Sequence, residues 1–223
     1  MTRALLFRAM AMFFSGALLL GALIFLPAGT MDYPAGWRLM AILFAPMFLA
    51  GLVMMIKCPE LLKKRLNAKE RQAEQRGVIA GSGLMFIAGF VVAGLDFRFG
   101  FSLLPDWVSR AACAAFLLGY MMYAEVLREN MWLSRTVEVQ EGQKVVSTGL
   151  YGVVRHPMYA ATLLLFMSMP LVLGSGAAFV VFLAYPALIA VRIRGEEELL
   201  EQELEGYGAY KQKVRYRLIP FVW

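Results

Sequence analysis

His156 is the only histidine in the chain, and it stands between Arg155 and Pro157. Proline suits the first position of a helix and disfavours helical backbone in the residue before it. Pro157 is therefore expected to open a helix, with the amides of Met158 and Tyr159 left free. A helix N-terminus flanked by a guanidinium and an imidazole is a natural anion site. Gly149, Tyr151 and Tyr159 complete this polar group. A second group comprises Arg192, Arg194, Glu196, Glu197 and Glu198. Arg192 and Glu196 are one helical turn apart and share a face. Arginine can clasp a carboxylate through two parallel hydrogen bonds, and glutamate can accept hydrogen bonds or a proton. Taken singly, an Arg-His pair marks a membrane interface, and a run of glutamates is a solvated face. Glu197, Glu198, Glu201, Glu203 and Glu205 are read as such a face. Cys58 and Cys113 form neither a disulfide pattern nor a metal-ligand spacing.

The elements that must position these residues are apolar helices. Of 223 residues, 60% are apolar and 17% charged, and mean hydropathy is +0.63. One soluble core could not hide so much apolar surface, so the composition excludes a soluble enzyme, a disordered chain and a secreted disulfide scaffold. Uncharged runs from Ala9 to Leu26, Leu39 to Ile56 and Gly77 to Leu95 are each long enough to cross a bilayer. The first is read as a retained span, because no small-residue cleavage site follows it. A fourth helix is expected from Pro105 or Asp106 through Glu129, with Ala111, Ala115 and Gly119 as a close-approach stripe. The stretch from Pro157 to Val191 has 35 uncharged residues, too long for one crossing at about 1.5 Å per residue. Gly174-Ser175-Gly176 should break it into a hairpin. The expected fold class is all-α, a polytopic membrane protein of about six transmembrane helices. An N-terminal part, 1–104, would hold three helices and a basic loop, and 105–223 would hold the candidate site.

Charge gives the orientation. Of the 22 Lys and Arg, only Arg38, Arg98 and Arg110 fall on one side of a six-span arrangement. The other side is therefore cytoplasmic and carries both termini. The formal charge of +6 follows from that bias, so no nucleic-acid partner is implied. The basic segment 57–76, with Leu61, Leu62 and Leu66 on helical spacing, is read as topological and assisted by anionic lipid. An antiparallel hairpin must bring the two polar groups together at the cytoplasmic face. Leu200, Leu204, Tyr207 and Val214 keep helical spacing and should pack the tail. Tyr207 and Tyr210 could touch a ligand but are read first as packing, and Arg155 is read as a brace.

Residues 145–159 read Val-Val-Ser-Thr-Gly-Leu-Tyr-Gly-Val-Val-Arg-His-Pro-Met-Tyr. Residues 192–200 read Arg-Ile-Arg-Gly-Glu-Glu-Glu-Leu-Leu, followed by Tyr207, Tyr210 and Arg217-Leu-Ile-Pro220. Over roughly residues 120–223 the chain resembles the isoprenylcysteine carboxyl methyltransferases and their phospholipid methyltransferase relatives. The resemblance implies an integral-membrane methyltransferase with S-adenosylmethionine held in a pocket open to the cytosol. It implies cofactor contacts at Gln143, Lys144, Val145, Val146, Tyr151, His156, Pro157, Met158, Tyr159 and Glu196. It also implies a substrate-side role for Arg192, with Arg192 and Glu196 as the catalytic pair. The acceptor implied is a lipid or lipidated small molecule, most directly an isoprenylcysteine carboxylate. Gln143 stands where the eukaryotic enzymes have histidine, and Ala160-Ala161 replaces a frequent glycine.

Methyl transfer from a sulfonium is an in-line displacement that rests on alignment and on exclusion of water. A carboxylate acceptor needs no general base. A lipid amine would need one, and Glu196 is the nearest candidate. Two further classes stay open: a membrane reductase using a nicotinamide cofactor, and a non-catalytic membrane scaffold.

Overall fold

The computed structural model describes residues 3–58, 62, 66, 73–133 and 138–223. Its long helices are α1 (Arg3–Ala28), α2 (Pro34–Lys57), α3 (Ala73–Phe99) and α4 (Asp106–Glu129). A 3-10 turn at Gly149–Gly152 precedes α5 (Pro157–Val172), α6 (Gly176–Phe182), α7 (Ala184–Glu203) and α8 (Tyr207–Lys213). Among the described residues no sheet forms, and one isolated bridge joins Leu103 to Ser175. Of the basic segment 57–76, residues 59–61 (Leu61 among them), 63–65 and 67–72 lie outside the described residues.

The chain is a multi-pass membrane protein. Among the described residues five stretches are long and apolar enough to cross a bilayer: Leu5–Ala28, Pro34–Lys57, Arg76–Phe99, Asp106–Glu129 and Gly176–Glu203. The sixth expected span, α5, has 16 residues, or about 24 Å of helix, and is shorter than the others. Its partner is one crossing made of α6 and α7, interrupted only at Leu183. Pro186 explains that interruption, because it has no N–H to offer the carbonyl of Phe182.

The hairpin turn falls at Gly174, whose φ of +74° favours glycine. Ser175 caps α6 by accepting from the amide of Ala178 at 3.1 Å. Its hydroxyl donates to Asp96, a fully buried residue at the end of α3. Asp96 also accepts from the Ser102 amide and hydroxyl at 2.7 and 2.6 Å. Tyr33 donates to the Leu173 carbonyl at 2.6 Å. The turn is thus tied to both α2 and α3 by buried polar contacts, each of them satisfied.

α4 packs along α5, and α1 packs along α3, which also meets α6 and α7. A Cβ at Gly119 would come within 2.8 Å of Leu165 Cγ on α5. The expected small-residue stripe is corrected here. Of its three members only Gly119 is buried, while Ala111 is exposed and Ala115 half-buried. The buried face of α4 is Ser109, Ala112, Phe116, Gly119 and Val126, because Phe116 rather than Ala115 fills the core beside α5.

Candidate functional site

Pro157 opens α5 and His156 is its N-cap. At the far end of the hairpin, α7 carries Arg192 and Glu196 past the apolar bundle. The two polar groups meet as expected. Tyr159 is the joint between them: its hydroxyl donates to Glu196 Oε2 and accepts from Arg192 Nε at 2.9 Å. The His156 and Tyr159 rings lie 5.7 Å apart, and His156 Nδ1 stands 4.0 Å from Glu196 Oε1.

Glu197 departs most sharply from expectation. It is not on a solvated face but only 3% exposed. Its Oε1 accepts from Arg155 Nε at 2.8 Å and faces His156 Nε2 at 3.2 Å. Its Oε2 accepts from Arg217 Nε at 2.9 Å. Since a carboxylate only accepts, Nε2 carries the imidazole proton. Glu198, Glu201, Glu203 and Glu205 are exposed, as read from the sequence. The reason for the difference is register. Tyr185, Ile189 and Ile193 form the buried row of α7, and Glu197 is the next position on it.

Arg155 is the expected brace. Its Nη1 donates to the carbonyls of Val214 and Arg215 at 2.8 and 2.7 Å. The amides of Arg155 and His156 donate to the carbonyls of Tyr216 and Arg217, both at 2.9 Å. Tyr210 donates to the Tyr151 carbonyl at 2.7 Å. These contacts latch the tail over the start of α5. Leu204, Tyr207, Tyr210 and Val214 form a small core with Val139, Val145 and Leu200 against it.

The loop before α5 closes the opposite wall. Asn130 donates to the Tyr151 hydroxyl at 2.8 Å, and Thr148 donates to Glu129 at 2.5 Å. Gln143 accepts from the Gln140 amide at 2.9 Å, which shapes the turn between them. Burial pushes the Tyr151 phenol up to about 12; the Asn130 hydrogen bond opposes this and the charge of Glu196 adds to it. Burial, followed by the Glu197 and Glu196 charges, also raises Tyr207. Both phenols are therefore neutral at physiological pH.

These walls line one cavity that is open to solvent. Gln143, Lys144, Val145, Val146, Tyr151, His156, Pro157, Met158, Tyr159, Arg192 and Glu196 all line it. So do Asn130, Trp132, Leu133, Glu138, Leu199, Leu200, Leu204, Tyr207 and Tyr210, which sequence reasoning did not place there as site residues. Spacing pointed to the tail as a packed element but carried no sign that it roofs the cavity.

The family described as phospholipid methyltransferase matches residues 107–206, from the start of α4 to just beyond α7. That match covers 100 of the chain's 223 residues. The fold is similar to that of the eukaryotic intramembrane Ras methyltransferase, the isoprenylcysteine carboxyl methyltransferase. The TM-score is 0.56 at 18% identity, over 92% of this chain and 73% of that one. Together these findings support the family expected from the motifs, and the likeness to the solved structure shows the fold. Two curated relatives are sterol reductases. The chain is 30% identical over 91 residues to the mouse (Mus musculus) Delta(14)-sterol reductase TM7SF2, covering 40% of this chain and 22% of that protein. It is 27% identical over 126 residues to the Arabidopsis thaliana Delta(14)-sterol reductase, covering 50% of this chain and 33% of that protein. The matches thus span a third or less of these reductases.

Proposed function

We propose that the chain is an integral-membrane, S-adenosylmethionine-dependent methyltransferase for a lipid-like acceptor, with carboxyl O-methylation of an isoprenylcysteine-type substrate as the favoured reaction. The observation that carries this reading is the convergence of both motif groups on one cavity. The cavity's chemistry fits the cofactor. Val145, Val146, Met158, Leu199 and Leu200 offer apolar walls, His156 and Arg155 a positive helix end, and Glu196 an acceptor. The buried Tyr207 hydroxyl has no partner among the described residues, as expected of a donor that serves a ligand.

When bound, S-adenosylmethionine supplies an electrophilic methyl group. Lys144, Tyr151 and His156 would hold its polar ends, with Val145, Val146 and Met158 against the base. Arg192 would orient an acceptor carboxylate through its planar fork. Tyr159 would keep Arg192 and Glu196 in register, and the latched tail would exclude water. With an amine acceptor Glu196 would instead take the proton. A polar cofactor would enter from the cytosol, and a lipid-like acceptor would approach between helices. Both termini are assigned to the cytoplasm on the Lys and Arg distribution.

The sterol reductase relatives favour a second reading, a membrane reductase with a nicotinamide cofactor. Calorimetric titration of the purified protein with S-adenosylhomocysteine and with NADPH separates the two. Binding of the first alone supports methyl transfer, binding of the second alone overturns it, and methyl transfer from labelled cofactor to membrane extracts then identifies the acceptor.

A further inference from the structure

Tyr207 stands apart from the other tyrosines of the cavity. Tyr159 is tied to Arg192 and Glu196, Tyr151 to Asn130, and Tyr210 to a backbone carbonyl. Tyr207 is 3% exposed, and its hydroxyl is the one buried side-chain polar atom without a partner among the described residues. A buried donor left unpaired is a cost that packing alone does not explain. Burial and the nearby carboxylates of Glu197 and Glu196 keep the phenol protonated, so what it lacks is a hydrogen-bond acceptor.

The surroundings say which part of a ligand brings one. The Tyr207 ring packs with Tyr210 and Leu204, and Val145 and Leu200 lie against the same cluster. This wall of the cavity is apolar and aromatic, suited to a flat heterocycle and its sugar. The charged groups Arg155, His156 and Glu196 gather where the hairpin ends meet. A ligand with a flat aromatic end would lay that end on this wall, where the charges of Glu197, Glu196 and Arg155 also reach the Tyr207 hydroxyl.

We infer that Tyr207 is a cofactor-binding residue whose hydroxyl donates to an acceptor atom of the adenosine part of the methyl donor, an inference that rests on the proposed function. Tyr207 lies one residue beyond the family match, in the tail element that roofs the site. The tail therefore reads the cofactor as well as latching the fold.

The test is calorimetric binding of S-adenosylhomocysteine and of 5′-methylthioadenosine, which keeps the adenosine and lacks the amino acid. Tyr207→Phe is expected to weaken both about tenfold, or about 1.4 kcal/mol, while the ligand-free protein melts no lower than wild type. Tyr210→Phe, which loses a made hydrogen bond, is expected to melt lower. Unchanged affinity of Tyr207→Phe for 5′-methylthioadenosine overturns the inference, as does weakening confined to S-adenosylhomocysteine. A lower melting temperature for ligand-free Tyr207→Phe also overturns it, since the hydroxyl would then be structural. Failure of the wild type to bind either nucleoside overturns this inference and the proposed function together.

Discussion

Replacing Glu197 by alanine should destabilise the protein far more than any other change in the glutamate run. The side chains of Glu197 and Arg155 are only 4% and 6% exposed, with Nε and Oε1 2.8 Å apart. Removing the carboxylate strands a buried guanidinium, and removal of one member of a buried pair costs about 3–5 kcal/mol. Arg155 keeps its bonds to the Val214 and Arg215 carbonyls, which holds the loss toward the lower end. The Arg217 contact adds less, because that side chain is 30% exposed and such pairs are screened. For a chain of this length each kcal/mol corresponds to roughly 2–4 °C in Tm, so a drop on the order of 10 °C is expected. The assay is thermal unfolding in detergent of Glu197→Ala beside Glu198→Ala, which alters an exposed position and should lie within about 0.5 kcal/mol of wild type. Equal melting of the two alanine variants would refute the reasoning.

At the cavity, His156→Ala and Glu196→Ala should each weaken S-adenosylhomocysteine about tenfold or more, from about 1.4 kcal/mol, measured by titration against the Glu198→Ala control. Arg192→Lys keeps the charge but loses the planar fork, so turnover of a carboxylate acceptor should fall steeply while cofactor affinity holds; full activity in a methyl-transfer assay would remove Arg192 from acceptor binding. Gly119→Ala places a Cβ 2.8 Å from Leu165 Cγ and should cost about 1–3 kcal/mol in the melt. A cysteine introduced at the exposed Asp32 position should react with an impermeant reagent from outside the cell and one at Lys211 should not; labelling at Lys211 would invert the orientation.

The hairpin was legible because its signals are local and strong. Pro157 opens α5, Gly174 takes the positive φ of the turn, and uncharged length separates the two. Once those three are fixed, antiparallel geometry brings Arg155 and His156 to Glu196 and Arg192 without further information. Part of the cavity's lining followed from the same motifs, since each residue the resemblance implied lines it, but the lining residues of the tail and of the loop around Asn130 did not. Asp96 was less legible. A carboxylate at the end of an apolar run reads as the limit of a span, yet here it is the buried acceptor for Ser102 and Ser175. Its partners come from a loop and from a turn far along the chain, and no local pattern carries that pairing.

Glu197 shows why three adjacent glutamates cannot be treated as one feature. Successive residues on a helix point about 100° apart, so Glu196, Glu197 and Glu198 face three different surroundings. Glu196 shares the side of Arg192 and reaches the cavity, whereas Glu198 reaches solvent. Glu197 continues the row Tyr185, Ile189, Ile193, whose four-residue period was already present in the sequence. That period predicts an inward-facing carboxylate, and an inward-facing carboxylate requires cationic partners. Arg155 and Arg217 supply them from elements on either side of α7 in the chain, so the charge that looked most solvated ties the tail to the hairpin. The cavity depends on that tie, because its roof at Leu204, Tyr207 and Tyr210 belongs to the same tail.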